Sequence, residues 1–222
     1  TLMCMLKIVI FCVLLLFRPA AQEPYARIRI PESYKIGNTY SILVFGLKAE
    51  DFEYAYQMDG PADQARGLLF NRKHTLLDPY AKAVTGQRNW GEKPEGGKDF
   101  VYKARVVQSD FDWGRYRNLN YKFEDLVIYE MHVRGFTKDA SSGVKGGGTF
   151  EGLRQKIPYL KDLGINAVEL MPIFEFDEME SARVVDGVQL YNYWGYNTVS
   201  FFAPNTSYAF HQEHNHEGDE LK

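Results

Sequence analysis

Four carboxylates crowd into one stretch of the chain, and they are the first residues whose chemistry has to be considered. They are Glu175, Asp177, Glu178 and Glu180. Two carboxyl groups held at a fixed separation can act as a general acid and a general base. Nothing in the spacing of these four fixes any two at a defined distance, so their crowding on one loop favours a solvated rim. We therefore expect no catalytic pair among them.

Aromatic residues close the same loop, between Tyr191 and Tyr196. Flat rings can stack on the apolar C–H faces of a sugar, and a wall of such rings near the end of a strand would suit a sugar-binding site. Packing within the loop is the alternative, and the residues alone do not decide between the two. Tyr196, flanked by Gly195, is the best candidate to reach a ligand.

A histidine-rich segment near the end of the sequence imitates a metal cluster. It contains His211, His214 and His216 together with Glu213 and Glu217. Ligand spacing without a surrounding frame of secondary structure is weak support for a metal site. We expect no bound metal here.

Two apolar segments are predicted to form strands that position these residues. The first begins at Leu126 and alternates with polar residues up to Arg134, which indicates a buried strand with polar groups at its far end. Residues 165–172 are predicted to be a second buried strand, of the parallel type.

The segment between these strands has the signals of one helix. Thr149 suits the N-cap, an apolar stripe follows, and Gly164 suits the C-terminal cap. Pro158 should kink this helix. Strand, helix and strand together predict an α/β fold for this part of the chain.

Upstream, short alternating runs are separated by turn residues. Residues 27–30, 40–45, 52–58 and 101–107 are predicted strands, and residues 86–98 are predicted to be a polar connecting loop. A small antiparallel β-sandwich is the economical interpretation. We expect the boundary to the α/β part at residues 113–123.

Composition narrows the class of protein. The 222 residues are 45% hydrophobic and 15% aromatic, which is ample for a packed core. A formal charge of −3, with Lys and Arg scattered along the chain, gives no electrostatic footprint for nucleic acid. Both cysteines, Cys4 and Cys12, lie in the N-terminal apolar run, so the rest of the chain has no disulfide framework.

The N-terminal run has the outline of a secretory signal. Lys7 precedes an apolar stretch that ends at Phe17, and small residues follow. The stretch is too short to span a bilayer as a helix. A sequence that opens on Thr1, and Pro19 close to the best cleavage point after Ala21, favour a truncated or misread start, and a core strand is a further alternative.

Three ordered motifs carry a resemblance to a known family. Residues 127–137, 164–172 and 193–204 closely resemble the isoamylase and bacterial glycogen-debranching branch of glycoside hydrolase family 13. Upstream, residues 59–61 and 77–82 resemble that branch's N-terminal family 48 carbohydrate-binding module and its exit.

The resemblance implies an α/β fold in which a β-sandwich precedes a (β/α)8 barrel. Residues 1–22 are then an apolar N-terminal run, residues 23–115 a carbohydrate-binding-like module, and residues 116–222 the first part of the barrel. A complete barrel takes about 250 residues. The chain is therefore expected to be an N-terminal fragment.

The family also implies hydrolysis of α-1,6-glucosidic branch bonds with retention, through a carboxylate nucleophile and a carboxylic acid catalyst. Those carboxylates are expected on barrel strands beyond residue 222, so the chain alone should be inactive and contain no catalytic residue. On the family pattern Tyr196 stacks on the glucose unit at the cleavage point, and Trp194 is a second substrate-binding residue. Glu130, His132 and Arg134 match the first barrel strand, where packing and support of neighbouring groups are favoured over catalysis.

The implied partner is α-glucan, namely glycogen, starch or maltodextrin, with no cofactor, no metal, no nucleic acid and no membrane. The implied location is cytoplasmic, or secreted if the N-terminal run is a true signal. The alternative function is a non-catalytic α-glucan-binding protein.

Overall fold

The structure is a computed structural model that describes residues 4–8, 14–17, 26–45, 47, 52–92, 101–108, 110–211 and 216–222. The chain divides into two compact units. Unit 1 is Thr1–Thr85 with Asp99–Gln108, and unit 2 is Gly86–Lys98 with Ser109–Lys222. In the described part of the chain, no helix combines the length and the apolar character that a membrane crossing requires.

Unit 1 is built from short antiparallel strands, as the alternating pattern predicts. The N-terminal strands are β1 (Cys4–Ile8), β2 (Leu14–Phe17) and β3 (Ala26–Arg29), followed by β4 (Lys35–Ile36) and β5 (Thr39–Val44). β5 lies between β1 and β4, and β2 pairs with β3. Residues 4–8 and 14–17 of the N-terminal apolar run are thus paired strands, and the rest of that run lies outside the described residues.

The later strands of unit 1 are each two residues long. They are β6 (Glu53–Tyr54), β7 (Ala62–Asp63), β8 (Leu68–Leu69), β9 (Ala83–Val84) and β10 (Ala104–Arg105). β6 and β10 are shorter than the strands predicted at 52–58 and 101–107, and the other three were not predicted. β10 pairs with both β6 and β9, and β7 pairs with β8. The buried side chains include Tyr40, Tyr54, Val84 and Ala104.

Unit 2 contains the predicted strand, helix and strand. β11 (Ile128–Met131) and β12 (Ala167–Leu170) are parallel, with Ile128 opposite Ala167, which confirms the parallel prediction. Both strands are more exposed than expected, since Ile128 and Val168 each keep about half of their surface accessible. The reason is that, among the described residues, each of the two strands has only the other as a neighbour.

The first strand of unit 2 is also shorter than predicted. It ends at Met131, and the chain turns into the short helix α1 (Val133–Thr137) instead of continuing to Arg134. His132 caps this helix, because its Nδ1 accepts a hydrogen bond of 3.1 Å from the Gly135 backbone N–H. The polar residues after Met131 are therefore displayed by a helix.

The predicted kinked helix is two helices, α2 (Phe150–Arg154) and α3 (Ile157–Asp162). A proline inside a continuous helix loses one backbone hydrogen bond and clashes with the carbonyl four residues earlier. The helix instead stops and restarts with Pro158 in the first turn of α3. The predicted caps are confirmed: Thr149 accepts from the Gly152 N–H, and Gly164 has a φ of +85°.

A long segment, residues 171–211, follows β12 in unit 2. It contains the hairpin of β13 (Arg183–Val185) and β14 (Val188–Leu190), and it leads to α4 (Glu217–Leu221). The core of unit 2 is a cluster of Val133, Phe150, Phe176 and Tyr208. This cluster packs α1 and α2 against the segment 171–211, which contributes Phe176 and Tyr208.

Candidate functional site

An aromatic cluster around Trp90 supports the loop that the sequence singles out. The Trp90 ring stacks on Tyr208 with a centroid distance of 5.9 Å and an interplanar angle of 5°. Phe176 and Tyr193 meet the same ring edge-on, each at 5.9 Å. The Arg134 guanidinium lies 4.6 Å from the Trp90 ring centroid, within the range of a cation–π interaction. Residues from distant parts of the sequence thus hold one another in place.

His132 fixes the start of the aromatic loop. Its Nδ1 accepts from the Gly135 N–H, so the proton of the neutral ring lies on Nε2, which donates to the Tyr193 carbonyl over 2.8 Å. The imidazole also stacks on the Tyr193 ring at 4.2 Å. Burial lowers the pKa of His132, and the Arg134 charge lowers it further against the opposing hydrogen bond to Tyr193. His132 is therefore a neutral side chain that holds the backbone of Tyr193 in place.

The expectation of a solvated acidic rim is wrong for two of its four members. Glu175 and Glu178 have 0% of their surface exposed. Glu175 Oε2 accepts from the Thr206 backbone N–H over 2.7 Å, and Glu178 Oε2 accepts from the Gly91 N–H over 3.0 Å. The donors come from residues far away in the sequence, so no local pattern could have revealed them.

Burial also changes the ionisation of these carboxyls. It raises the pKa of Glu175 well above its ordinary value, and the neighbouring Glu178 and Glu217 raise it further against the hydrogen bond from Thr206. Burial raises the pKa of Glu178 as well, although Ser207 and Gly91 oppose that shift by donating to the carboxylate. Neither side chain is accessible to a substrate, so this pair cannot work as an acid and base on a bound ligand.

A cleft of about 650 Å³ lies beside the aromatic loop. Tyr191, Tyr193 and Trp194 line one part of it. Trp194 keeps 55% of its surface exposed, so its ring is available for stacking. The cavity is within the range of about 300–1,000 Å³ that is typical of small-molecule sites.

Polar side chains line the remainder of the cleft. They include Glu180, Arg183, Gln189 and Asn197. Asn197 donates to the Glu180 carboxylate. Rings with a few polar groups around them form an environment suited to a polyhydroxy ligand.

Tyr196 lies outside this cleft and has 71% of its surface exposed. The two predicted substrate-binding residues are therefore separated: Trp194 lines the cleft, whereas Tyr196 faces open solvent on the far side of Gly195. Gly195 has a φ of +77°, and a Cβ on it would lie 2.4 Å from the Phe176 ring. The turn between Trp194 and Tyr196 therefore requires glycine.

The sequence missed two contributions to this site. Residues 86–98 were predicted to be a polar connecting loop, yet in the described part of that segment Gln87 and Trp90 pack into unit 2. A tryptophan inside a polar segment was the one signal that could have drawn attention to it. The hairpin that carries Arg183 and Gln189 was also missed, although its central Asp186-Gly187 pair is a strong hairpin signal.

The described histidines of this segment, His211 and His216, each pair with a different carboxylate. His211 Nδ1 lies 3.0 Å from Glu220, and His216 Nδ1 lies 3.0 Å from Asp219. His214 and Glu213 lie outside the described residues. Within the described part of the chain, no three His, Cys, Asp or Glu side chains are grouped so that they could hold a metal ion.

Comparison with known proteins identifies sequence relatives of this chain. No family model matches the chain. It is 44% identical over 179 residues to isoamylase 3, chloroplastic, of Oryza sativa subsp. japonica, an alignment that covers 79% of this chain and 23% of the relative. It is 34% identical over 203 residues to the glycogen debranching enzyme of Yersinia enterocolitica, covering 84% of this chain and 29% of that enzyme.

Solved structures agree on the fold. A pullulanase from Anoxybacillus sp. LM18-11, solved with maltotetraose, superposes with a TM-score of 0.69 at 23% identity, over 98% of this chain and 30% of the pullulanase. The chain thus has the mixed α/β fold of part of that enzyme. It spans about a quarter of the length of the curated relatives, 23% for the rice isoamylase and 29% for the bacterial enzyme.

The class that these comparisons define is that of the α-glucan debranching enzymes, to which the sequence relatives belong. Within that class the sequence relatives are isoamylases and glycogen debranching enzymes, which is consistent with the isoamylase and glycogen-debranching branch of glycoside hydrolase family 13. The resemblance drawn from the three motifs is thereby confirmed.

Proposed function

We propose that this chain is the N-terminal part of an α-glucan debranching glycoside hydrolase that cleaves α-1,6-glucosidic bonds with retention. The observation that carries the proposal is the 44% identity to a chloroplastic isoamylase over 79% of the chain. Unit 1 would be the family 48 carbohydrate-binding-like β-sandwich, and unit 2 the first part of the (β/α)8 barrel. The parallel pairing of β11 and β12, with helices between them, supports this assignment.

The catalytic carboxylates would lie outside these 222 residues. A retaining glycosidase needs two carboxyl groups about 5–5.5 Å apart on either side of the bond that is cleaved. Among the described residues, Glu180 is the carboxylate that lines the cleft, and it is engaged by Asn197. Glu175 and Glu178 are buried. The role of this chain would therefore be to bind and orient the glucan.

Trp194 and Tyr196 are the residues that we assign to glucan binding. Trp194 offers an accessible ring to the apolar face of a glucose unit inside the cleft, and Tyr196 offers a second ring outside it. His132 would act through Tyr193, since it fixes the backbone immediately before Trp194. The proposed location is cytoplasmic, as the family implies.

The test is an activity assay and a binding assay on the same preparation. The 222-residue chain should release no reducing sugar from pullulan or glycogen, and measurable turnover would contradict the placement of the carboxylates outside it. Calorimetric titration with maltotetraose should give weaker binding for Trp194→Ala and for Tyr196→Ala than for the unchanged chain. Tyr116→Ala removes another exposed tyrosine of unit 2 and is the matched control.

A second candidate function is a non-catalytic α-glucan-binding protein. The accessible aromatic cleft, with no carboxylate pair presented to it by the described residues, is the observation in its favour. The transcript beyond the codon for Lys222 separates the two candidates. An open reading frame with further barrel strands and their carboxylates supports the hydrolase, whereas a stop codon directly after Lys222 supports the binding protein.

A further inference from the structure

The hairpin of β13 and β14 lies at the rim of the cleft. Its two central residues, Asp186 and Gly187, have φ values of +50° and +80°, as in the type I′ turn that suits a two-residue connection. The Gln189 side chain donates to the Arg183 carbonyl over 3.2 Å and to the Leu190 carbonyl over 2.9 Å. The hairpin therefore presents its side chains from a defined backbone.

Arg183 faces the cleft from this hairpin. It is directly opposite Leu190 in the antiparallel register, so the two side chains share one face, and both line the cleft. Within the described part of the chain, the Arg183 guanidinium makes no hydrogen bond and no ion pair. A guanidinium has five N–H donors in a planar fork. The N–H donors of Arg183 are thus available to a ligand in the cleft.

The other groups in the cleft indicate which ligand would use these donors. An anion would meet Arg183 favourably but would be repelled by Glu180, which lines the same cleft. A neutral polyhydroxy ligand can accept from Arg183, donate to Glu180 and stack on Trp194 at once. Each unit of an α-1,4-linked glucan carries two adjacent hydroxyl groups that fit the fork of a guanidinium.

We propose that the β13–β14 hairpin is a second glucan-binding wall, in which Arg183 donates to neighbouring hydroxyl groups of an unbranched α-1,4-linked segment while Trp194 stacks on its apolar face. This inference rests on the proposed function and extends it from the aromatic loop to the hairpin. The hairpin is then a determinant of how strongly the linear part of the substrate is held.

The test is calorimetric titration of maltotetraose into the 222-residue chain and its variants. Arg183→Ala should weaken binding about tenfold or more, because losing even one hydrogen bond from a charged donor accounts for about a factor of ten. Arg183→Lys keeps the charge but loses the fork, so it should bind with intermediate affinity. Arg115→Ala, an exposed arginine of unit 2 away from the cleft, is the matched control and should bind like the unchanged chain. Circular dichroism checks that each variant is folded.

The outcomes separate this inference from the proposed function. If the unchanged chain binds maltotetraose and Arg183→Ala binds it equally well, the hairpin inference is overturned and the glucan-binding proposal stands. If the unchanged chain does not bind maltotetraose, both are overturned. Inorganic phosphate is the second probe: phosphate binding that is lost in Arg183→Ala, without any effect of phosphate on the affinity for maltotetraose, would identify an anion site and overturn the inference.

Discussion

Replacing His132 by Ala removes several interactions of the site, including the following three. The cap on the Gly135 N–H is lost, which costs about 1 kcal/mol. The stack on Tyr193 is lost, which costs about 0.5–1.5 kcal/mol. The Tyr193 carbonyl loses its donor at a cost of about 1–3 kcal/mol, near the lower end because water reaches part of this residue. We expect a loss of about 2–4 kcal/mol in the free energy of unfolding.

Tryptophan fluorescence during urea unfolding measures the free energy of unfolding of unit 2. The three tryptophans, Trp90, Trp113 and Trp194, all belong to unit 2, so the signal reports that unit. His132→Asn should recover the part that is due to capping, since Asn is a strong N-cap residue. His216→Ala is the control, because this exposed histidine makes only a surface pair with Asp219.

A loss below about 1 kcal/mol for His132→Ala, no more than an ordinary helix cap contributes, would refute this account of the site. Equal losses for the Asn and Ala variants would show that capping is not among the three contributions. The same Ala variant should also bind maltotetraose more weakly than the control, because Tyr193 directly precedes Trp194 in the cleft wall.

Three further predictions concern the framework of unit 2, each read by urea unfolding. Glu175→Gln should stabilise unit 2 near pH 8 and much less near pH 4. Because burial raises the folded-state pKa of Glu175, the stability that this carboxyl contributes is complete below its unfolded pKa of about 4.3 and is lost as the pH rises. Glu169→Gln, at an exposed carboxyl, is the matched control. A pH-independent difference for Glu175→Gln would contradict the buried-carboxyl explanation. Gly195→Ala should cost about 2–4 kcal/mol, from the positive φ and the clash with Phe176, and an unchanged midpoint would contradict this. Thr149→Ala should cost about 1 kcal/mol through the lost cap of α2, whereas Thr149→Asn should cost little.

Local sequence signals predicted the order of elements in unit 2 well. Thr149 and Gly164 act through their own side chain or backbone conformation, so their capping roles could be seen without the fold. The parallel strands could be predicted because apolar β-branched runs on both sides of a helical segment leave few other topologies. Whether residues 150–162 form one helix or two could not be predicted, because Pro158 is compatible both with a kink and with the first turn of a new helix.

The family and the aromatic loop were thus determined by the sequence itself, because motif order and residue type are properties of the chain alone. The burial of Glu175 and Glu178 was decided by tertiary structure, since their hydrogen-bond donors come from Gly91 and from residues 206 and 207. The same holds for the separation of Trp194 from Tyr196. One lines the cleft and the other does not, because Gly195 turns the backbone against Phe176, a contact between side chains that no spacing in the sequence encodes.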